Sequence, residues 1–69
     1  MTENNLRKIR LEKGLSQLQL SYLVEISPQA ISNIENGKIF VYDGWKKRLA
    51  AALEVTEAEL FPEDEDKEV

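Results

Sequence analysis

The chain contains no cysteine and no histidine. The first absence excludes disulfides, thiolate nucleophiles and cysteine-ligated metal sites. The second removes the commonest general base and the commonest transition-metal ligand. With both missing, every Cys/His or Ser/His nucleophile arrangement is missing too. Carboxylates such as Glu57 and Glu59 remain, but their placement reads as helix N-terminal capping and dipole stabilisation. No enzyme, cofactor or metal site is expected. Long apolar runs are also lacking, and none approaches the roughly 20 residues a bilayer-spanning helix needs. Met1-Thr2-Glu3-Asn4-Asn5 is polar rather than a basic-then-apolar leader, so a cytoplasmic chain with no membrane partner is expected.

Sixty-nine residues make one domain near the lower limit for an unassisted core. Stability at that size comes from well-capped, closely packed helices or from dimerisation. The net charge is −4, which taken alone argues against a nucleic-acid partner. Its distribution argues the other way. Residues 1–48 carry eight Lys/Arg against five acids, a balance of +3, whereas residues 49–69 hold eight acids and only Lys67, a balance of −7. Such asymmetry indicates a mildly basic folded unit with an acidic end; the domain is read as residues 1–62, followed by an acidic, disordered tail over 63–69. The tail reads first as a solubilising terminus. The sharper reading is that it competes with any polyanionic partner for the basic face.

Helical punctuation is frequent. Thr2 or Asn4 can cap a first helix running to about Lys13, with Leu6 and Ile9 on one face and Gly14 as its left-handed stop. Ser16 with Gln19 forms a capping-box pair opening a second helix, whose inner face carries Leu20 and Val24. Ser27-Pro28 opens a third through a hydroxyl cap and a proline at the first helical position. Ile31 and Ile34 form its buried stripe, and Asn36-Gly37 ends it. Asp43 can cap a fourth helix carrying Trp45, Leu49 and Leu53; Thr56 with Glu59 opens a short fifth bringing in Leu60 and Phe61 before Pro62. Five short helices with short links and no convincing strand predict a compact all-α domain. The Glu25-Ile26-Ser27 link is too short for antiparallel packing and predicts a helix-turn-helix at helices two and three.

The residues also resemble a known family. Leu6-Arg7-Lys8-Ile9-Arg10, Lys13-Gly14-Leu15-Ser16-Gln17, Leu20, Ile26-Ser27 and Ile31-Ser32-Asn33-Ile34-Glu35-Asn36-Gly37-Lys38 are similar to the Cro/lambda-repressor (XRE) type of helix-turn-helix. Leu49-Ala50-Ala51-Ala52-Leu53, Val55 and Glu59-Leu60-Phe61 resemble its last two helices, so the likeness covers roughly residues 4–61. It implies a five-helix lambda-repressor-like DNA-binding domain with its third helix in the major groove. It further implies a homodimer on a pseudo-palindromic operator of double-stranded DNA, acting as a repressor. It also places Arg10 and Glu35 near each other, as an ion pair joining the first helix to the end of the third. Three features depart from the family. Glu25 stands at a turn position usually held by glycine, Ile39 to Tyr42 is unusually apolar, and Leu11, Leu18 and Leu23 occupy commonly polar positions.

Pro28, Gln29, Ser32 and Asn33 form the outward side of helix three, since Ile31 and Ile34 face inward. Gln29 and Asn33 suit bidentate contacts to adenine N6/N7, while Pro28 can offer only shape and van der Waals contact, such as to a thymine methyl. The plainer alternative is that all four are ordinary polar or capping positions. Phosphate contacts are expected at the N-terminus of helix two, where the resemblance assigns the Gln17 amide to the DNA backbone, and from Ser27, Lys38 and the Asn36-Gly37 main chain. Lys38 also suits a helix C-terminus as a cation; Arg7 and Lys13 are outer candidates. Lys46-Lys47-Arg48 reads mainly as a solvated face, with Lys46 or Lys47 able to reach a flanking phosphate. Trp45 is expected in the core, and Phe40 and Tyr42 either beneath the domain or at a dimer contact. A runner-up function is a protein-interaction module, antitoxin-like, whose surface would comprise Leu11, Leu18, Leu23, Phe40 and Tyr42.

Overall fold

The computed structural model describes residues 4–62; Thr2 as a helix cap, and the acidic tail 63–69, lie outside the described residues. The elements are α1 (Leu6–Glu12), α2 (Gln17–Val24), α3 (Pro28–Glu35), α4 (Asp43–Leu53) and α5 (Glu57–Leu60). Among the described residues there is no strand, and no helix is long and apolar enough to cross a membrane.

Local chemistry accounts for most boundaries. The Ser16/Gln19 and Thr56/Glu59 capping boxes both form, each satisfying two otherwise orphaned main-chain N–H groups. Ser27 Oγ accepts the Ala30 N–H at 3.1 Å, and Pro28 follows as the first helical residue. Three of the helices close with the same pattern, α4 on Glu54 (Val55 N–H donating to the Ala50 carbonyl and Glu54 N–H to that of Ala51) and two on glycine. Gly14 at φ 75° stops α1, with Leu15 N–H donating to the Arg10 carbonyl and Gly14 N–H to that of Leu11. Gly37 at φ 69° stops α3, with Lys38 N–H donating to Asn33 and its own N–H to Ile34. This is the six-to-one, five-to-two arrangement that satisfies the last carbonyls of a helix. Two starts differ from the sequence expectation. The N-cap of α1 is Asn5, without a side-chain cap, because its amide donates to the Glu59 carbonyl at 2.9 Å instead. Asn4 does the capping from one position earlier, its Oδ1 accepting the Leu6 N–H while its Nδ2 donates to the Ile34 carbonyl at 2.8 Å. Asp43 is not a cap: Tyr42 occupies that position, also without a side-chain bond.

Leu6, Leu20, Ile31, Ile34, Leu49, Leu53 and Leu60 are completely enclosed, with Val24, Ile26 and Phe61 nearly so. Each contributes about 1.5–3 kcal/mol by leaving water. Ile26 lies in the α2–α3 link itself and pins the turn to the core. Trp45 corrects the sequence expectation. It is half-buried against the core rather than within it, and its ring meets Tyr42 edge to face at 5.7 Å, which in turn meets Phe40 at 5.2 Å. Phe40 and Tyr42 are exposed and do not fold under the domain.

Glu25 and Glu54 are the two described non-glycine residues with positive φ, both at 60°, and each ends a helix. A left-handed residue with a Cβ costs about 1–2 kcal/mol, and a carboxylate at a helix C-terminus also opposes the helix dipole. Glycine removes both penalties but frees the unfolded chain by about 0.4–1 kcal/mol. Glu25→Gly and Glu54→Gly should therefore each stabilise by about 0.5–1 kcal/mol, raising Tm by several degrees in thermal denaturation. A lowered Tm in either variant would show that the strain argument has the wrong sign.

Candidate nucleic-acid interface

The inward stripe of α3 is Ile31 and Ile34, both fully enclosed, so the opposite side of the helix is fixed by packing. On it Pro28 and Gln29 are exposed, and Ser32 and Asn33 are half-buried. Gln29 Nε2 lies 3.4 Å from Asn33 Oδ1 one turn on, a long and weak hydrogen bond between two amides that base edges can replace. Ser27 serves as the α3 cap, and its hydroxyl hydrogen remains available to donate.

At the start of α2 the capping box consumes the main-chain N–H groups of Ser16 and Gln19. Those of Gln17 and Leu18 have no partner among the described residues, and the positive end of the helix dipole adds to them. The Gln17 side chain is half-buried, and its Nε2 donates to Glu35 Oε1 at 3.0 Å. Lys38 is exposed just past α3. The Asn36-Gly37 main chain corrects the sequence expectation. The N–H groups of Asn36, Gly37 and Lys38 all donate to carbonyls of α3, so none remains for phosphate. What Asn36 keeps is an exposed side chain.

The structure brings Arg10 and Glu35 together. Arg10 Nε donates to Glu35 Oε2 at 2.6 Å and Nη2 to Oε1 at 3.3 Å, while Nη1 donates to the Leu15 carbonyl at 2.8 Å. The two side chains are only 8% and 3% exposed, so the charges are compensated almost entirely by each other and by these bonds. One fork thus joins α1, the α1–α2 link and the last residue of α3.

The basic run on α4 disperses into three separate structural roles. Lys46 is mostly enclosed, with Nζ 3.9 Å from Asp43 and 5.8 Å from the centre of the Phe61 ring. Lys47 lies 3.6 Å from Glu57. Arg48 Nη1 donates to the Val24 carbonyl at 3.2 Å, closing the C-terminus of α2 from the neighbouring helix. Sequence reading missed this tether, since only tertiary packing sets residue 48 beside residue 24. It missed the Gln17–Glu35 bond for the same reason. It also passed over Tyr22, 73% exposed and one turn from exposed Leu18 on α2; the signal was present, because α2 has apolar residues all round rather than on one stripe. Leu11 and Leu23 are likewise exposed.

An all-α scaffold holding two helices across a three-residue turn, the second with an uncommitted polar face, defines a helix-turn-helix DNA-binding domain. The helix-turn-helix family model matches residues 6–39. Among solved structures, the restriction-modification controller protein C.AhdI from Aeromonas hydrophila is 35% identical, with a TM-score of 0.78 over 83% of this chain and 86% of that one. The clp gene regulator ClgR from Corynebacterium glutamicum is 28% identical, with a TM-score of 0.74 over 78% of this chain and 57% of that one. A hypothetical transcription factor, NHTF, from Neisseria is 28% identical, with a TM-score of 0.76 over 91% and 73%. No curated protein matches the sequence significantly. The chain belongs to the XRE/Cro-like helix-turn-helix family of DNA-binding regulators, which are not enzymes.

Proposed function

We propose that the protein is a sequence-specific repressor that binds a pseudo-palindromic operator as a homodimer, with α3 in the major groove. The observation that carries this reading is the free face of α3. Gln29 and Asn33 lie one turn apart on a helix whose other side is locked by Ile31 and Ile34. Pro28 and Ser32 flank them for shape and van der Waals contact. Gln17, Ser27, Asn36 and Lys38 supply phosphate contacts that set the register without reading sequence. Lys38 gives the largest ionic share, being the exposed cation nearest the end of α3. The exposed Phe40–Tyr42 pair, continuous with half-buried Trp45, supports a dimer contact on the α3–α4 side.

Selection from a randomised duplex pool at moderate salt tests the reading. The expected result is an enriched inverted repeat with half-site centres about ten base pairs apart. In the same assay Lys38→Ala should weaken binding to all sequences alike and reduce the slope of log affinity against log salt by about one unit. Retention without enrichment would remove sequence reading. A second reading, a protein-interaction module, is favoured by exposed Leu18 and Tyr22 on α2, more than half open to solvent. It predicts no DNA retained at any salt concentration.

A further inference from the structure

We propose that Glu35 is a positioning residue for DNA binding, acting through Gln17; this rests on the DNA-binding reading above. The carboxylate does more than neutralise Arg10. Oε2 takes the Arg10 Nε–H, while Oε1 is shared between Arg10 Nη2 and Gln17 Nε2 at 3.0 Å. An ionised carboxylate only accepts hydrogen bonds. The Gln17 amide must therefore turn its nitrogen toward Glu35, since the reversed amide would set oxygen against oxygen in a site where the carboxylate is 3% exposed. One Nε2 hydrogen is thereby spent, and the planar amide fixes the direction of the other. That second hydrogen belongs to the first residue of α2, beside the N–H groups of Gln17 and Leu18, which have no partner among the described residues. An approaching phosphate then meets a donor already oriented by a second, buried anion.

The placement of Glu35 gives the arrangement its consequence. It is the last residue of α3, and Gln17 is the first of α2. The donor that grips phosphate is therefore held in the frame of the helix that reads bases. Rotation of α3 in its groove would move Glu35 and release the amide, so register on the backbone and register on the bases are set together. Ion pairing alone does not require this. Arg10 is held by three hydrogen bonds to Glu35 and Leu15 without any help from Gln17.

The test uses the full chain and its selected operator, with single phosphates replaced in turn by uncharged methylphosphonate. At one position per half-site wild type should lose about fivefold or more in affinity, the worth of one charge-assisted hydrogen bond, and Gln17→Ala should lose nothing further there. Glu35→Gln, whose amide accepts either orientation of Gln17, should reduce that local penalty to below about twofold, in line with a lost hydrogen bond. A Glu35→Gln protein that binds every duplex more weakly yet keeps the full local penalty would overturn the proposal and leave Glu35 a purely structural residue. If Glu35→Gln does not fold by circular dichroism, Glu35→Asp keeps the charge beside Arg10 while shortening its reach, and the same comparison decides. Side-chain hydrogen exchange in wild type gives an answer without any variant. One Gln17 Nε2 hydrogen should be protected in the free protein and the second only with operator bound; two unprotected hydrogens in the free protein would overturn the assignment. A wild type that retains no DNA instead removes the DNA-binding reading, and this inference with it.

Discussion

Arg10→Ala should destabilise the domain by about 3–5 kcal/mol, the usual loss when one member of a buried pair is removed and the other is left charged and dry. Natural domains have only about 5–15 kcal/mol in total, and one of 69 residues lies at the low end. The variant should therefore be largely unfolded at physiological temperature, with most of its cooperative thermal transition lost. The size follows from position. Glu35 is 3% exposed, and without Arg10 only Gln17 still donates to it. The Leu15 carbonyl loses its guanidinium donor at the same time. Arg10→Met with Glu35→Leu should recover most of the loss, because apolar side chains of similar volume leave no charge to desolvate. Thermal denaturation of both variants checks this. An Arg10→Ala protein melting within a few degrees of wild type would mean that the fork contributes orientation and almost no stability. The recovered double variant also separates folding from function: it should fold, yet lack the fixed Gln17 amide on which phosphate contact depends.

Gln29→Ala and Asn33→Ala should each lose about 1–3 kcal/mol on the selected operator, roughly five- to 150-fold in Kd, with little change on random DNA. Neither residue supports the core. Gln29 is exposed, Asn33 is half-buried, and the bond between them is long at 3.4 Å, so both variants should melt close to wild type. Their losses should not add fully. The side chains are neighbours on one face, and residues in contact couple by about 0.5 kcal/mol or more. Reselection with Asn33→Ala should relax preference at one base pair per half-site and leave the others. Equal losses on operator and random DNA would show that these amides touch backbone rather than base edges.

Much of the scaffold was legible in the residues because it is written locally. A capping box needs only residues three apart, a proline after serine fixes a helix start, and glycine past a helix end allows the left-handed stop. The apolar stripes of α2 to α5 follow the helical period and, Trp45 apart, proved to be the core. Asn4 and Asn5 were harder. Their side chains reach to Ile34 and Glu59, over separations of 30 and 54 residues, so no local rule separates their capping from their cross-linking. Lys46-Lys47-Arg48 shows the same limit from the other direction. A charge run resembles a patch in sequence, but successive helical residues point about 100° apart, and each found a different partner.

The sequence by itself determined that this chain is helical, where most of its helices begin and end, which aliphatic stripes are buried, and that α3 carries two amides on its outer face. Those outcomes depend on backbone preferences and hydrophobic period, which act over a few residues. Only the tertiary structure decided that Glu35 answers Gln17 as well as its expected partner Arg10, that the main chain after α3 is closed to phosphate, and that Glu25 takes a left-handed turn despite its Cβ. The reason is that a buried charge or a strained residue is held by groups brought from distant positions, at angles that exist only once the helices have packed.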